Sequence, residues 1–140
     1  MSQKPADYED DSTIADDAEL WRRIPPRHIV PDNTNGGVRI SKAAFEDHPN
    51  GSPMSVTLAK ESLAAGRGAY ALLIGHIDFC LASITAGTAR SLKQGIMRKP
   101  LVDDPAHAEV FGKKTDSVRK KLSKAAKWVI APQQLSDSQS

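Results

Sequence analysis

Residues Ala106 to Ile130 read AHAEVFGKKTDSVRKKLSKAAKWVI, and the two halves of this stretch follow different periods. In AHAEVF the side chains alternate, with His107, Glu109 and Phe111 on one side and Ala106, Ala108 and Val110 on the other, as in a strand. After it, Val118, Leu122, Ala125, Ala126 and Val129 fall in one apolar stripe at about 100° per residue. Lys120, Lys124 and Lys127 lie opposite that stripe, so the pattern predicts a basic amphipathic helix. Thr115, Asp116 and Ser117 are all residues that cap a first turn, and the helix dipole favours Asp116 there. A strand leading through Gly112, Lys113 and Lys114 into such a helix predicts a single small α+β domain. Its sheet would be short-stranded, mixed or antiparallel, with the C-terminal amphipathic helix packed on it.

Upstream, LWRRIPPRHIV (residues 20–30) alternates until two prolines interrupt any ladder, which predicts a short strand at a sheet edge. PDNTNGG is a loop, and Ser41 is placed to cap one or two helical turns in KAAFED. MSVTL has strand character, whereas LAKESLAAG contains helix formers closed by Gly66. YALLI and FCLASI read as two buried strands joined by GHID. AGTARSLKQG reads as a short helix ending before Gly95, and IMRKPLVDDP as irregular chain with turns. Residues 1–19 hold too little apolar material to offset the entropy of ordering, so they are expected to form a disordered acidic arm. The globular part then spans residues 20–131, and residues 132–140, beginning at Pro132, form a polar disordered tail.

The net charge of +2 conceals an asymmetry, because residues 1–20 carry −6 and residues 21–140 carry +8. A basic body attracts anions, and an acidic arm tunes that attraction or keeps the body soluble. The single cysteine, Cys80, excludes a disulfide framework and sits in an apolar run as a small core residue. The longest apolar run falls far short of the ~20 residues of a membrane helix, and the acidic N-terminus is unlike a signal peptide. The expectation is a cytoplasmic protein with no membrane association and no cofactor.

Three groups of residues have chemical potential. Gly112, Lys113 and Lys114 before a helix resemble the end of a phosphate-binding P-loop, but His107 replaces the first glycine of that motif and Lys114 displaces Thr115 by one position. The P-loop reading fails, leaving a general anion site at a helix N-terminus, extended by Lys120, Lys124 and Lys127 into a face able to contact several phosphates. The second group is His107 with Glu109: if the alanine side of their strand is buried, both point outward, where His107 can act as acid or base beside a phosphate. Arg22 and Arg39, with Arg23, Ser41, Ser55, Thr57 and Glu109, form the third, the residue types that hold pyrophosphate and ribose in a transferase acting on a dinucleotide. His28, His48, His76 and His107 share no metal-ligand spacing, so no metal site is expected.

LWRRI, RISKAAFED, MSV and above all PAHAEVFGKKT resemble segments of a family of short uncharacterised bacterial proteins. The resemblance spans most of residues 20–129 and implies a bacterial source, with no activity and no residue roles attached.

The leading expectation from sequence is a non-catalytic binding or accessory domain that engages nucleic acid, a nucleotide-like ligand or an acidic protein surface through its basic C-terminal face. Two alternatives stand beside it. One is a small enzyme acting on a phosphate-containing or dinucleotide substrate, and the other is a subunit docking a protein partner in a larger bacterial assembly.

Overall fold

Six strands hydrogen-bond in antiparallel pairs to build the sheet on which everything else is mounted, as the computed structural model of the chain shows for residues 8–132. In chain order the strands are β1 (Glu19–Ile24), β2 (Ile29–Pro31), β3 (Val38–Ile40), β4 (Met54–Leu58), β5 (Cys80–Thr85), β6 (Gly95–Arg98), β7 (His107–Phe111) and β8 (Lys127–Ile130). The large sheet runs β6-β7-β4-β1-β5-β8, while β2 and β3 pair as a separate ribbon. Among the described residues three α-helices complete the α+β domain: α1 (Ala59–Ala64), α2 (Ala86–Ser91) and α3 (Asp116–Ala125).

Strand alternation divides the sheet into two unlike faces. On one, Leu20, Ile24, Met54, Val56, Cys80, Ala82, Ile96, Ala108 and Val110 are buried together with Phe45 and Leu122. Phe45 ends a short helical turn, Lys42–Phe45, capped by the Ser41 hydroxyl accepting from the Ala43 N–H at 3.2 Å. Leu122 anchors α3, with Val118 packed beside it. Burying that one leucine side chain contributes about 1.5–3 kcal/mol. Cys80 is fully buried here, and burial pushes its thiol up to about 11, so it is an inert core residue. The other face has a smaller apolar cluster, Trp21, Leu81, Ile130, Ala59 and Leu72, under α1 and the turn Ala69–Leu73. The rest of that face is not covered.

Several expected elements take another form. LWRRI is a strand at the middle of the sheet rather than its edge, because the prolines lie just beyond Ile24 and both sides of Glu19–Ile24 remain able to pair. YALLI is a tight helical turn, closed by Ala71 N–H to the Gly68 carbonyl at 3.1 Å, and buries only Leu72. The C-terminal helix stops at Ala125, where Ala126 turns to extended backbone, and Lys127–Ile130 instead joins the edge of β5. The β-propensity of Trp128, Val129 and Ile130 and the free edge of β5 outweigh the helical spacing of Val129.

The acidic segment departs from expectation too. From Tyr8 onward it lies on the body: Tyr8 stacks on Phe111 with centroids 5.6 Å apart, and Ile14 is 3 % exposed. Asp11 N–H donates to the Ile96 carbonyl, and the Asp10 carboxylate accepts from Ile96 N–H, both at 2.8 Å, so the segment covers the β6 edge. Arg90 pairs with Asp10 and Asp16, and Arg98 with Asp11 and Glu61. Charge neutralisation thus adds to the few apolar contacts. The expected disorder of residues 1–7 and 133–140 concerns positions outside the described residues. Among the described residues no helix is long and apolar enough to cross a membrane.

Hydrogen bonds from the Thr13 hydroxyl and N–H, and then from Arg98, hold the Asp11 carboxyl down at about 2. A folded-state value below the ordinary 3.8 means that its stabilising contribution is complete above that pH and is lost as pH falls through 2. The stability difference between wild type and Asp11→Asn is therefore expected to be constant from neutral pH to about pH 5 and to shrink toward zero near pH 2, as read by urea titration.

Candidate ligand-binding cleft

The uncovered face is organised by register. His107 stands opposite Thr57, Thr57 opposite Trp21, Trp21 opposite Ser83 and Ser83 opposite Lys127, making one transverse row across five strands. Neighbours in such a row are about 5 Å apart. The next row brings Ser55 opposite Glu109 on one side and Arg23 opposite Leu81 on the other.

Between those two halves the sheet opens. The β1–β4 pairing comprises Leu20↔Leu58 and Trp21↔Thr57 and stops there. In the gap the Arg22 guanidinium donates to the carbonyls of Ser55 (2.8 Å), Ala44 (3.0 Å) and Glu46 (3.4 Å). A side chain has replaced the ladder between two adjacent strands. Desolvation, and then the charge of Arg23, draw the Arg22 pKa down to about 10, which still leaves it cationic at neutral pH.

A cleft of about 770 Å³ lies over this opening. Its floor includes Trp21, Arg22, Arg23, Ser55, Thr57 and His107. One wall carries Arg27, His28 and His48, and another carries Ile74, His76 and Phe79. Arg67, Leu101, Asp103 and Asp104 close a third side. All four histidines of the chain thus line one cavity. Asp104, 6 % exposed, is clamped there by the Thr57 hydroxyl at 2.8 Å and by Arg67 at 3.1 Å.

The electrostatics favour an anion. Of the four arginines lining the cleft, only Arg67 is in an ion pair among the described residues. Arg23 donates through Nε to the Leu72 carbonyl at 2.6 Å, and burial lowers its pKa. Burial and the adjacent charges of Arg27 and Arg23 respectively lower His28 and His76, so both rings are neutral at pH 7. Among the described residues, the Trp21 indole N–H and the His28 Nδ1 are buried without a hydrogen-bond partner. Buried polar atoms without partners are uncommon in native proteins and mark places where a ligand or water completes the structure. Among the described residues no three His, Cys, Asp or Glu side chains are grouped so as to hold a metal ion.

The residues singled out from sequence fall in three places. His107 and Arg22 line the cleft, together with Arg23, Ser55 and Thr57. His107 and Glu109 share the open face, since Ala108 and Val110 are fully buried, but the imidazole Nδ1–H donates to the Lys99 carbonyl at 2.8 Å rather than to Glu109. That bond leaves Nε2 as an acceptor. Gly112, Lys113 and Lys114 are at the far end of β7, so they do not converge with His107. The Lys114 side chain is 5 % exposed, and its ammonium is used by Asp47 (2.9 Å) and the carbonyls of Val110 (2.8 Å) and Gly112 (3.2 Å). Gly112 has φ +135°, and a Cβ there would come within 2.7 Å of the Gln94 side chain, so close approach accounts for this glycine. The N-terminus of α3 is occupied by the chain itself: Thr115 accepts from Val118 N–H at 3.1 Å, and Asp116 pairs with Lys42.

Lys120 and Lys124 are exposed on α3, Lys113 precedes it, and Lys127 lies on β8. Arg39 is on the separate β2–β3 ribbon, outside the cleft lining. Arg27, Arg67, His28, His76 and Asp104 joined no motif in the sequence. Their common signal was only that arginines and histidines cluster beside turn residues, and it took the tertiary fold to collect them.

Neither family models, nor curated proteins, nor solved structures match the chain.

Replacing Arg22 by methionine keeps most of its length and removes the donors to three carbonyls. The expected cost is about 2–4 kcal/mol, since hydrogen bonds to charged groups contribute ~1.5–3 kcal/mol and unpartnered carbonyls add a penalty. Arg27→Gln, at an exposed position, is expected to change stability by less than about 0.5 kcal/mol in the same urea titrations.

Proposed function

We propose that the protein binds a small phosphate-bearing molecule in this cleft, with His107 available to exchange a proton with it. The observation that carries the reading is the pair Arg23 and Arg27, which line a cavity of ligand size and form no ion pair among the described residues. Phosphate oxygens match guanidinium donors in geometry and charge, and the neutral His28 ring supplies a further hydrogen-bonding group. Asp104, fixed by Thr57 and Arg67, limits the excess positive charge. At His107, Nδ1 is held by a backbone carbonyl and Nε2 is left as the acceptor, an arrangement suited to a general base.

A second reading rests on the exposed lysines Lys113, Lys120, Lys121, Lys124 and Lys127, which form no ion pair among the described residues and can contact the phosphates of a nucleic acid. Lys113 and the α3 lysines follow the far end of β7 from His107, so substitutions at Lys120 and Lys124 separate the two readings.

Titration calorimetry with pyrophosphate is the direct test. Binding is expected to weaken with added salt and to fall at least about tenfold in Arg23→Gln, while Arg39→Gln leaves it unchanged. Failure of pyrophosphate to bind at millimolar concentration would overturn the proposal. Loss of binding only in the triple variant Lys120→Gln, Lys124→Gln, Lys127→Gln would transfer anion recognition to the basic face.

A further inference from the structure

The cleft has an apolar side that phosphate recognition does not use. Ile74 is 79 % exposed and Leu101 46 % exposed, yet both line the cavity. His76 and Phe79, which also line the cavity, form a tilted aromatic pair with centroids 5.1 Å apart. Apolar side chains grouped at the mouth of a pocket are a feature of ligand-binding surfaces.

The loop holding this pair has a defined shape. Gly75 and Asp78 both have left-handed backbone conformations, φ +83° and +65°, on either side of His76 and Ile77. His76 N–H donates to the Leu73 carbonyl at 2.9 Å, and Phe79 N–H to the His76 carbonyl at 3.2 Å. These bends present two rings on one rim instead of burying them in the adjacent Leu72–Leu81 cluster. His76 is uncharged at neutral pH, so it offers a ring face and not a second cationic site. His76 and Phe79 line the same cavity as Arg23 and Arg27, so the aromatic rim and the cationic groups border one volume.

Resting on the phosphate reading above, we infer that the ligand is a nucleoside phosphate whose base lies against His76, Phe79 and Ile74 while its phosphate engages Arg23 and Arg27. Inorganic phosphate alone would leave most of the ~770 Å³ volume and the whole apolar rim unused. A purely apolar ligand would leave the arginines without counter-charge. A planar, weakly polar ring joined to an anion by a short polar spacer satisfies both ends, and a nucleoside phosphate has this construction. Base stacking tolerates different bases, so the rim selects for a base without selecting strongly among them.

The test compares AMP, UMP, ribose 5-phosphate and adenosine by calorimetry on the wild-type chain and on the double variant His76→Ala, Phe79→Ala. The inference predicts that AMP and UMP bind about tenfold more tightly than ribose 5-phosphate to the wild type. In the double variant the three phosphates should become equal, with ribose 5-phosphate unchanged and the thermal melt intact. Proton NMR on the wild type provides a readout that needs no variant: the His76 ring signals should shift with AMP and stay in place with ribose 5-phosphate. Equal affinity of ribose 5-phosphate and the nucleotides for the wild type would overturn the nucleoside assignment while leaving the phosphate reading standing. Adenosine binding as tightly as AMP, or no binding by any of the phosphates, would overturn the phosphate reading itself.

Discussion

The Arg22 guanidinium, set between two adjacent strands and donating to three backbone carbonyls, is the interaction on which the rest of the structure depends. Backbone carbonyls in a sheet normally find partners in the neighbouring strand, and leaving them buried without one costs about 1–3 kcal/mol each. Here the side chain supplies those donors. The β1–β4 ladder can therefore end after Trp21↔Thr57 without leaving Ser55 unsatisfied. The same bonds fasten the Lys42–Phe45 turn, whose Phe45 is fully buried against the core face. One residue thus joins the opening in the sheet to the packing beneath it.

The opening explains why the two faces of the sheet differ. On the core face, nearly every inward position is aliphatic or alanine, and α2, α3 and the Lys42–Phe45 turn cover it. On the other face, Thr57, Ser55, His107 and Arg23 occupy positions where a second core layer would require apolar side chains. Covering this region with protein would bury charges without partners, which is strongly unfavourable. It stays open, and the segments around it contribute cations and histidines. The acidic N-terminal segment reinforces the separation, because its carboxylates are taken up by Arg90 and Arg98 at the β6 edge and do not neutralise the cleft.

Local patterns made much of the fold legible. Alternation in AHAEVF, the strand composition of MSVTL and the short apolar run FCLASI correspond to β7, β4 and β5, and the capping signals at Ser41 and Thr115 are realised as hydrogen bonds. Errors arose where tertiary pairing decided the outcome. Val129 fits a helical stripe, but the free edge of β5 draws Lys127–Ile130 into a strand; YALLI has strand composition but is bounded by glycines and turns locally. In the site, His107, Arg22, Arg23, Ser55 and Thr57 were individually visible, and their convergence was not, because it depends on the antiparallel order β7-β4-β1. Lys114 shows the reverse: its position after a glycine suggested an exposed anion ligand, whereas Asp47, far away in sequence, pairs with it in a buried position.

The proposed seat of anion recognition is the opened β1–β4 junction and not the basic helix. Side-chain NMR of arginine Nε–H and histidine ring signals during a pyrophosphate titration tests it most directly, since each group reports its own environment. Saturable shifts are expected at Arg23, Arg27, His28 and His107, with Arg119, on α3, unmoved. Shifts confined to Arg119 and the backbone amides of Lys113–Lys124, with the cleft signals static, would contradict it.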